Sequence, residues 1–72
     1  MIDIAQGVGT LVNLNRASAI ELETLPGIGP ATAAEIVNDR LVNGPFSSVD
    51  DLVRVSGVGP ATVEKLRDVV SV

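Results

Sequence analysis

Apolar residues recur at the spacing of a helix face in two stretches of the chain, each of which begins with a proline after glycine. The stretches cover residues 30–43 and 60–70. One apolar stripe runs along each of them. The stripe residues are Ala33, Ile36, Val37 and Leu41 in the first stretch, and Val63, Leu66 and Val70 in the second. Together with two shorter segments, this pattern predicts four helices at about 18–24, 30–43, 48–54 and 60–70, and it requires no strand.

Local signals support these boundaries. Each short helix opens with a serine that is followed three residues later by an acid, which is the arrangement of a capping box. The pairs are Ser18 with Glu21 and Ser48 with Asp51. Pro30 and Pro60 stand at the first position of the longer helices, where the missing N–H has no consequence. The sequence therefore predicts a short helix, a turn and a longer helix, and it predicts this arrangement twice.

The two halves are copies of one unit. Residues 18–36 and 48–66 align without a gap at an offset of thirty, and seven of the nineteen positions are identical. The identical pairs are Ser18/Ser48, Leu22/Leu52, Gly27/Gly57, Gly29/Gly59, Pro30/Pro60, Ala31/Ala61 and Thr32/Thr62. Because the glycine turn is the best-matched segment, we infer an internal duplication.

Composition limits the chemistry available to the 72-residue chain. Apolar residues make up 46% of it, but Phe46 is its one aromatic residue. The absence of Cys and His excludes disulfides and the usual zinc sites. No apolar run is long enough for a membrane span, and no signal peptide is evident. Adjacent Asp50 and Asp51 at a helix start are explained by the helix dipole, and no nucleophile or base accompanies them, so we expect no enzymatic activity.

Each turn between the helices has the features of a phosphate-binding site. The segments Gly27-Ile28-Gly29 and Gly57-Val58-Gly59 allow a tight turn and a close approach by another backbone, while Ile28 or Val58 points inward as an anchor. A helix amino terminus with free N–H groups follows at once. A single Gly-x-Gly before a helix is often only turn geometry, but two copies in register could grip two phosphates.

The glycine turns and the segments around them resemble the sequences of a known family. The segment 25–33 resembles the helix-hairpin-helix motif, and residues 12–72 as a whole resemble the DNA-receptor domain of bacterial competence proteins of the ComEA type. The wider match includes Asn13 to Asn15, Asp39-Arg40 and Gly44-Pro45-Phe46. The resemblance implies an all-α, compact tandem helix-hairpin-helix domain with a SAM-like arrangement of four main helices. Residues 1–11 are expected to form a flexible N-terminal tail.

In that family the domain binds double-stranded DNA without sequence preference, on an anchored protein at the extracytoplasmic face of the membrane, and passes it to the uptake channel. The resemblance therefore implies duplex DNA and channel proteins as partners, no membrane contact by this segment itself, and no cofactor, although a monovalent cation on hairpin carbonyls is compatible with it. The expected DNA-binding residues are Gly27, Ile28, Gly29, Ala31, Thr32, Arg40, Arg54, Gly57, Val58, Gly59, Ala61 and Thr62.

The charge of the chain departs from that of a usual DNA-binding protein. The net charge is −4, and Ala31-Thr32 and Ala61-Thr62 occupy positions where relatives commonly carry Lys or Arg. Backbone amides, threonine hydroxyls, Arg40 and Arg54 would then make the contacts, whereas Lys65 and Arg67 are expected on an ion-paired surface. The alternative is a protein-interaction or scaffolding module that has the same fold and little DNA affinity.

Overall fold

A computed structural model describes residues 11–72, which form six short elements around one core. In chain order these are strand β1 (Val12–Asn13), helix α1 (Ala19–Leu22), helix α2 (Pro30–Val42), a 3₁₀ helix (Val49–Arg54), helix α3 (Pro60–Leu66) and strand β2 (Val70–Ser71). The prediction of an all-α fold with four main helices is confirmed. The predicted tail, apart from the exposed Leu11, lies outside the described residues.

Both predicted capping boxes are present, and the second includes an additional hydrogen bond to the residue before it. The Ser18 hydroxyl accepts from the Glu21 amide at 3.1 Å, and the Glu21 carboxylate accepts from the Ser18 amide at 2.9 Å. In the second repeat the Asp51 carboxylate accepts from the amides of Ser47 and Ser48, at 2.8 and 3.3 Å. The helix that follows is 3₁₀ rather than α. Its β-branched valines and paired aspartates are poor α-helix formers, which accounts for the tighter turn.

The core is made of equivalent positions from both repeats. Leu22 and Leu52 are completely buried, as are Ile36 and Leu66. The remaining buried pairs are Leu25 with Val55, Ile28 with Val58 and Ala33 with Val63, and Leu14, Ala17, Phe46 and Val70 complete the cluster. The duplication seen in the sequence is therefore a duplication of core positions, which places the two glycine turns in equivalent environments.

The predicted burial of Leu41 and the predicted carboxyl end of the fourth helix are wrong. Leu41 was expected on the apolar stripe of α2, but it is 77% exposed, because the helix runs past its last buried residue, Ile36, into solvent. The fourth helix ends at Leu66 and does not reach residue 70. Val70 is buried, as predicted, but it lies in strand β2.

Strands β1 and β2 were not expected. They pair in parallel, with Val12 opposite Val70 and Asn13 opposite Ser71. The Leu14 amide donates to the Ser71 carbonyl at 2.8 Å, and the Val12 amide donates to the Val69 carbonyl at 3.0 Å. The β-branched residues at the end of the chain favour an extended conformation. The pair joins the segment before the first repeat to the segment after the second.

The connection between the repeats is fixed by a side chain from outside both of them. The Asn15 side-chain amide donates to the Phe46 carbonyl at 3.0 Å, and its carbonyl oxygen accepts from the Phe46 amide at 2.7 Å. Asn15 thus satisfies both backbone groups of a residue whose side chain is buried.

Among the residues that the structure describes, no helix is long and apolar enough to cross a membrane.

Candidate nucleic-acid interface

The two turns share one backbone conformation. Gly27 and Gly57 have φ of +81° and +94°, in the left-handed region that favours glycine. In each turn an amide donates back across three residues, from Ile28 to the Leu25 carbonyl and from Val58 to the Val55 carbonyl, both at 3.1 Å. Ile28 and Val58 are buried, as predicted, and anchor the turns in the core.

The second glycine of each turn faces open space. Gly29 and Gly59 have φ of −93° and −106°, which other residues also adopt, and a Cβ built on either would meet no heavy atom within 4 Å. The glycines at these two positions are therefore not required by the fold. They leave the backbone of each turn accessible to a close-approaching ligand.

Free amides lie directly after each turn. The first helical hydrogen bonds run from the Ala33 amide to the Gly29 carbonyl at 2.9 Å and from the Val63 amide to the Gly59 carbonyl at 3.1 Å. The amides of Ala31 and Ala61 precede these bonds and have no carbonyl within their helices to bond. Both alanines are exposed. Each turn can thus offer backbone donors to an anion, next to an unobstructed glycine.

The structure brings the two turns together. A Cβ built on Gly27 would lie 3.9 Å from the Thr62 methyl carbon, and one built on Gly57 would lie 3.4 Å from the Thr32 hydroxyl oxygen. Each threonine therefore lies against the turn of the other repeat. Two such proximities cross between the repeats, and the alignment does not reveal them because it relates equivalent residues and not neighbouring ones.

Arg54, a predicted phosphate contact, is held within the protein. Its guanidinium donates to the Asp39 carboxylate at 2.5 Å and to the Gly44 carbonyl at 2.6 Å, and it stacks 4.5 Å above the centre of the Phe46 ring. These three groups come from the end of α2 and from the connection between the repeats. Arg54 thus ties the 3₁₀ helix to the first repeat, and its predicted contact with DNA stays a prediction.

Arg40 is also used internally. It lies in the last turns of α2 and donates to the Leu14 carbonyl at 2.9 Å, which fixes the segment between β1 and α1. The sequence suggests DNA contacts for both arginines, because Arg54 directly precedes the second turn and Arg40 matches an arginine common in the family that the chain resembles. The sequence does not show that the Leu14 and Gly44 carbonyls and Asp39 lie within reach of these arginines, because only the folded chain brings them together.

The prediction of an ion-paired surface on the last helix is confirmed for Arg67. Its guanidinium donates to the Asp50 carboxylate at 2.6 Å and to the Glu64 carboxylate at 2.8 Å. Hydrogen bonds from Arg67 lower the pKa of both carboxyl groups and raise the pKa of the guanidinium. The cluster links the second repeat's two helices and leaves no excess positive charge for a phosphate.

Replacement of Arg54 with alanine tests its structural role. We expect Arg54→Ala to lower the free energy of unfolding by about 1–3 kcal/mol, since it leaves the Asp39 carboxylate, 11% exposed, without its ion-pair partner. Urea unfolding gives the value, and Arg16→Ala, at an exposed arginine, is the control. Unchanged stability combined with weaker duplex binding at low salt would instead make Arg54 a DNA contact.

No group of acids that could hold a metal ion occurs among residues 11–72. A surface cavity of about 250 Å³ is lined by Leu11, Val12, Asn13, Arg16, Ala17 and Glu21, and it includes no residue of either turn. The exposed acids of the second repeat, Asp50 and Glu64, are turned to Arg67. The two turns therefore lie apart from both this cavity and the Arg67 cluster.

Two turns of this geometry, each between two helices, define a tandem helix-hairpin-helix domain. A sequence model of the helix-hairpin-helix motif matches residues 8–71, and the chain belongs to this family. Its domain is of the ComEA type. It is 39% identical to ComE operon protein 1 of Bacillus subtilis over 66 residues, which are 92% of this chain and 32% of that protein.

Other relatives share the same segment. The chain is 42% identical to an uncharacterized protein of Haemophilus influenzae over 62 residues, or 85% of this chain and 55% of that protein. It is 39% identical to the human endonuclease/exonuclease/phosphatase family domain-containing protein 1 over 56 residues, or 78% of this chain and 10% of that protein. The chain spans about a third of the Bacillus protein and a tenth of the human one. The names of these proteins therefore do not transfer a catalytic activity to it.

Proposed function

We propose that the domain binds double-stranded DNA through phosphates, without reading the sequence, and does not act as an enzyme. The observation that carries the proposal is the pair of adjoining turns, each with an exposed first-turn alanine amide beside a glycine whose Cβ direction is open. Membership of the helix-hairpin-helix family supports DNA as the ligand. Backbone amides recognise phosphate oxygens, which are the same in every sequence.

The side chains around the turns support binding without sequence preference. Ala31 and Ala61 have nothing with which to read a base edge, and the Ile28 and Val58 side chains are buried. The one aromatic ring, Phe46, is 2% exposed and is not available for stacking on single-stranded bases. The amides at Gly27, Gly29 and Ala31, with their partners at Gly57, Gly59 and Ala61, are the proposed donors.

The charge of the domain makes this binding weak. The net charge is −4, so the interaction depends on local geometry rather than on a long-range attractive field. With few phosphates engaged, the salt dependence corresponds to about two to four released counterions, at roughly one unit of slope per phosphate. A steep slope, or a strong preference for one sequence, would contradict the proposal.

An amide NMR titration with a short generic duplex at low and higher salt tests the proposal. We expect shifts at Gly27, Gly29, Ala31 and at the equivalent residues of the second turn, and we expect the shifts to fade as salt is added because counterion release drives the binding. A second duplex of the same length and unrelated sequence is the control for sequence independence. Unchanged spectra at all six positions would refute the proposal.

The likeness to ComE operon protein 1 extends the proposal to DNA uptake. The domain would act as a receptor module of a longer, anchored protein outside the cytoplasmic membrane and would present duplex DNA to the proteins of an uptake channel. Tethering raises the local concentration of the domain at the surface and would compensate for weak binding.

The second candidate function is a protein-interaction module. The acidic net charge and the alanines after both turns favour it, because no lysine or arginine follows either turn at the start of the next helix in the described residues. Unchanged chemical shifts of the turn amides in the DNA titration would favour this function. No cofactor is part of either proposal. A monovalent cation is compatible with either proposal, since the Leu25 and Val55 carbonyls each accept one hydrogen bond within the turns and keep a second lone pair.

A further inference from the structure

The two threonines that follow the turns make reciprocal contacts between the repeats. Thr32 is in the first repeat but lies against Gly57, and Thr62 is in the second but lies against Gly27. Both glycines have positive φ, so the contacts are made at the residues that set the direction of each turn. Both threonines are half-buried. The same two positions therefore face each other twice across the boundary between the repeats.

The atoms that make the two contacts are different. At Gly27 the facing atom is the Thr62 methyl carbon, whereas at Gly57 it is the Thr32 hydroxyl oxygen. Neither threonine hydroxyl forms a hydrogen bond with another group of residues 11–72. At Thr62 in particular, the methyl group occupies the space beside the turn. A role in packing and a role in donating to a phosphate thus depend on different atoms of the same side chain.

We propose that Thr32 and Thr62 are positioning residues that hold the two turns together as a single two-pronged DNA-binding unit. Each threonine fixes the turn of the opposite repeat, so neither repeat is an independent binding module. The inference rests on the proposed function for its DNA-binding consequence. It assigns the threonines a task different from the direct phosphate contact that the sequence suggests.

Two substitutions of Thr62 separate these roles. Thr62→Val keeps a methyl group against Gly27 and removes the hydroxyl, whereas Thr62→Ser keeps the hydroxyl and removes the methyl. We expect Thr62→Val to bind a generic duplex like the unmodified domain, and Thr62→Ser to bind about threefold to tenfold more weakly, in the range of coupling between residues in contact. Thr24→Ser is the control, at an exposed threonine whose hydroxyl donates to the Glu21 carbonyl at 2.6 Å.

The opposite order of affinities would overturn the proposal. If Thr62→Ser binds normally and Thr62→Val binds weakly, the hydroxyl contacts the phosphate and the methyl packing is incidental. Urea unfolding of each variant at the temperature of the binding experiment establishes the folded fraction. A loss of affinity that disappears after correction for that fraction also counts against a positioning role.

Spectra of the free protein test the proposal without DNA. If the threonines are positioning residues, the NMR signal of the Gly27 amide shifts in Thr62→Ser and stays unchanged in Thr62→Val. The signal of the Gly57 amide shifts in Thr32→Ala, although the two residues are 25 positions apart in the sequence. Failure of all variants and of the unmodified domain to bind duplex would refute the proposed function alone. An unmoved Gly27 amide in Thr62→Ser, together with an unmoved Gly57 amide in Thr32→Ala, would refute the positioning role whether or not the domain binds DNA.

Discussion

Replacing Gly29 and Gly59 together with alanine is expected to weaken duplex binding by about a hundredfold and to leave the fold intact. Each new methyl group enters the space through which a phosphate approaches the turn. Loss of one hydrogen bond to a charged group is worth about 1.5–3 kcal/mol, which is tenfold or more in affinity per turn. The measurement is the dissociation constant for a generic duplex at low salt, for each single variant and for the double variant.

The fold should tolerate these substitutions because the backbone at both positions suits an ordinary residue. Each glycine precedes a proline, and φ of −93° and −106° with extended ψ is the conformation that a residue before proline prefers. Alanine reduces the entropy of the unfolded chain but is a poorer helix cap than glycine, and these effects oppose each other. We expect the free energy of unfolding to change by less than about 1 kcal/mol.

The other glycine of each turn supplies the contrasting variants. Gly27→Ala and Gly57→Ala place a side chain at φ of +81° and +94°, so they should destabilise the domain as well as disturb its turns. Binding that survives in the Gly29 and Gly59 double variant would show that the turns do not approach DNA closely. The acidic surface and a protein partner would then explain the domain better.

Features that depend on neighbours in sequence could be predicted, and this explains why the turns were located correctly. The capping pair of Ser18 and Glu21 lies within one helical turn, and the conformation of Gly27 follows from its place between a short helix and a proline-started one. Burial of Ile28 and Val58 followed from the same local geometry. Repetition of these signals at a fixed offset made the assignment of the fold secure before any contact between the repeats was known.

Features that depend on contacts across the fold could not be predicted in the same way. A helical stripe does not reveal where the core beneath it ends, so Leu41 was placed inward although it is exposed. Val70 satisfies a helical spacing and a strand equally well, and pairing with Val12 decides between them. The internal partners of Arg54 lie 8–15 residues away in the chain, at Phe46, Gly44 and Asp39, whereas its place directly before the second turn suggested an external ligand.

Replacing Phe46 with alanine is expected to remove most of the stability of the domain and to leave up to about half of the molecules unfolded. Phe46 is 2% exposed, and truncation of a buried phenylalanine costs about 3–5 kcal/mol. Small domains have about 5 kcal/mol or little more in total, so the loss removes most of the stability. Thermal unfolding followed by circular dichroism measures the effect, with about 4–8 °C of melting temperature lost per kcal/mol.

Phe46→Leu is the matched control, and it separates the effect of the buried apolar volume from that of the aromatic ring. Leucine keeps most of the buried apolar volume and leaves the Phe46 backbone groups bonded to Asn15, but it removes the ring on which Arg54 stacks. We therefore expect a loss of about 1.5 kcal/mol or less and normal duplex binding by the folded fraction. A Phe46→Ala domain that melts within a few degrees of the unmodified one would mean that the repeats are held together without their connection. The reciprocal contacts of Thr32 and Thr62, together with the pairing of β1 and β2, would then have to maintain the relative position of the two turns.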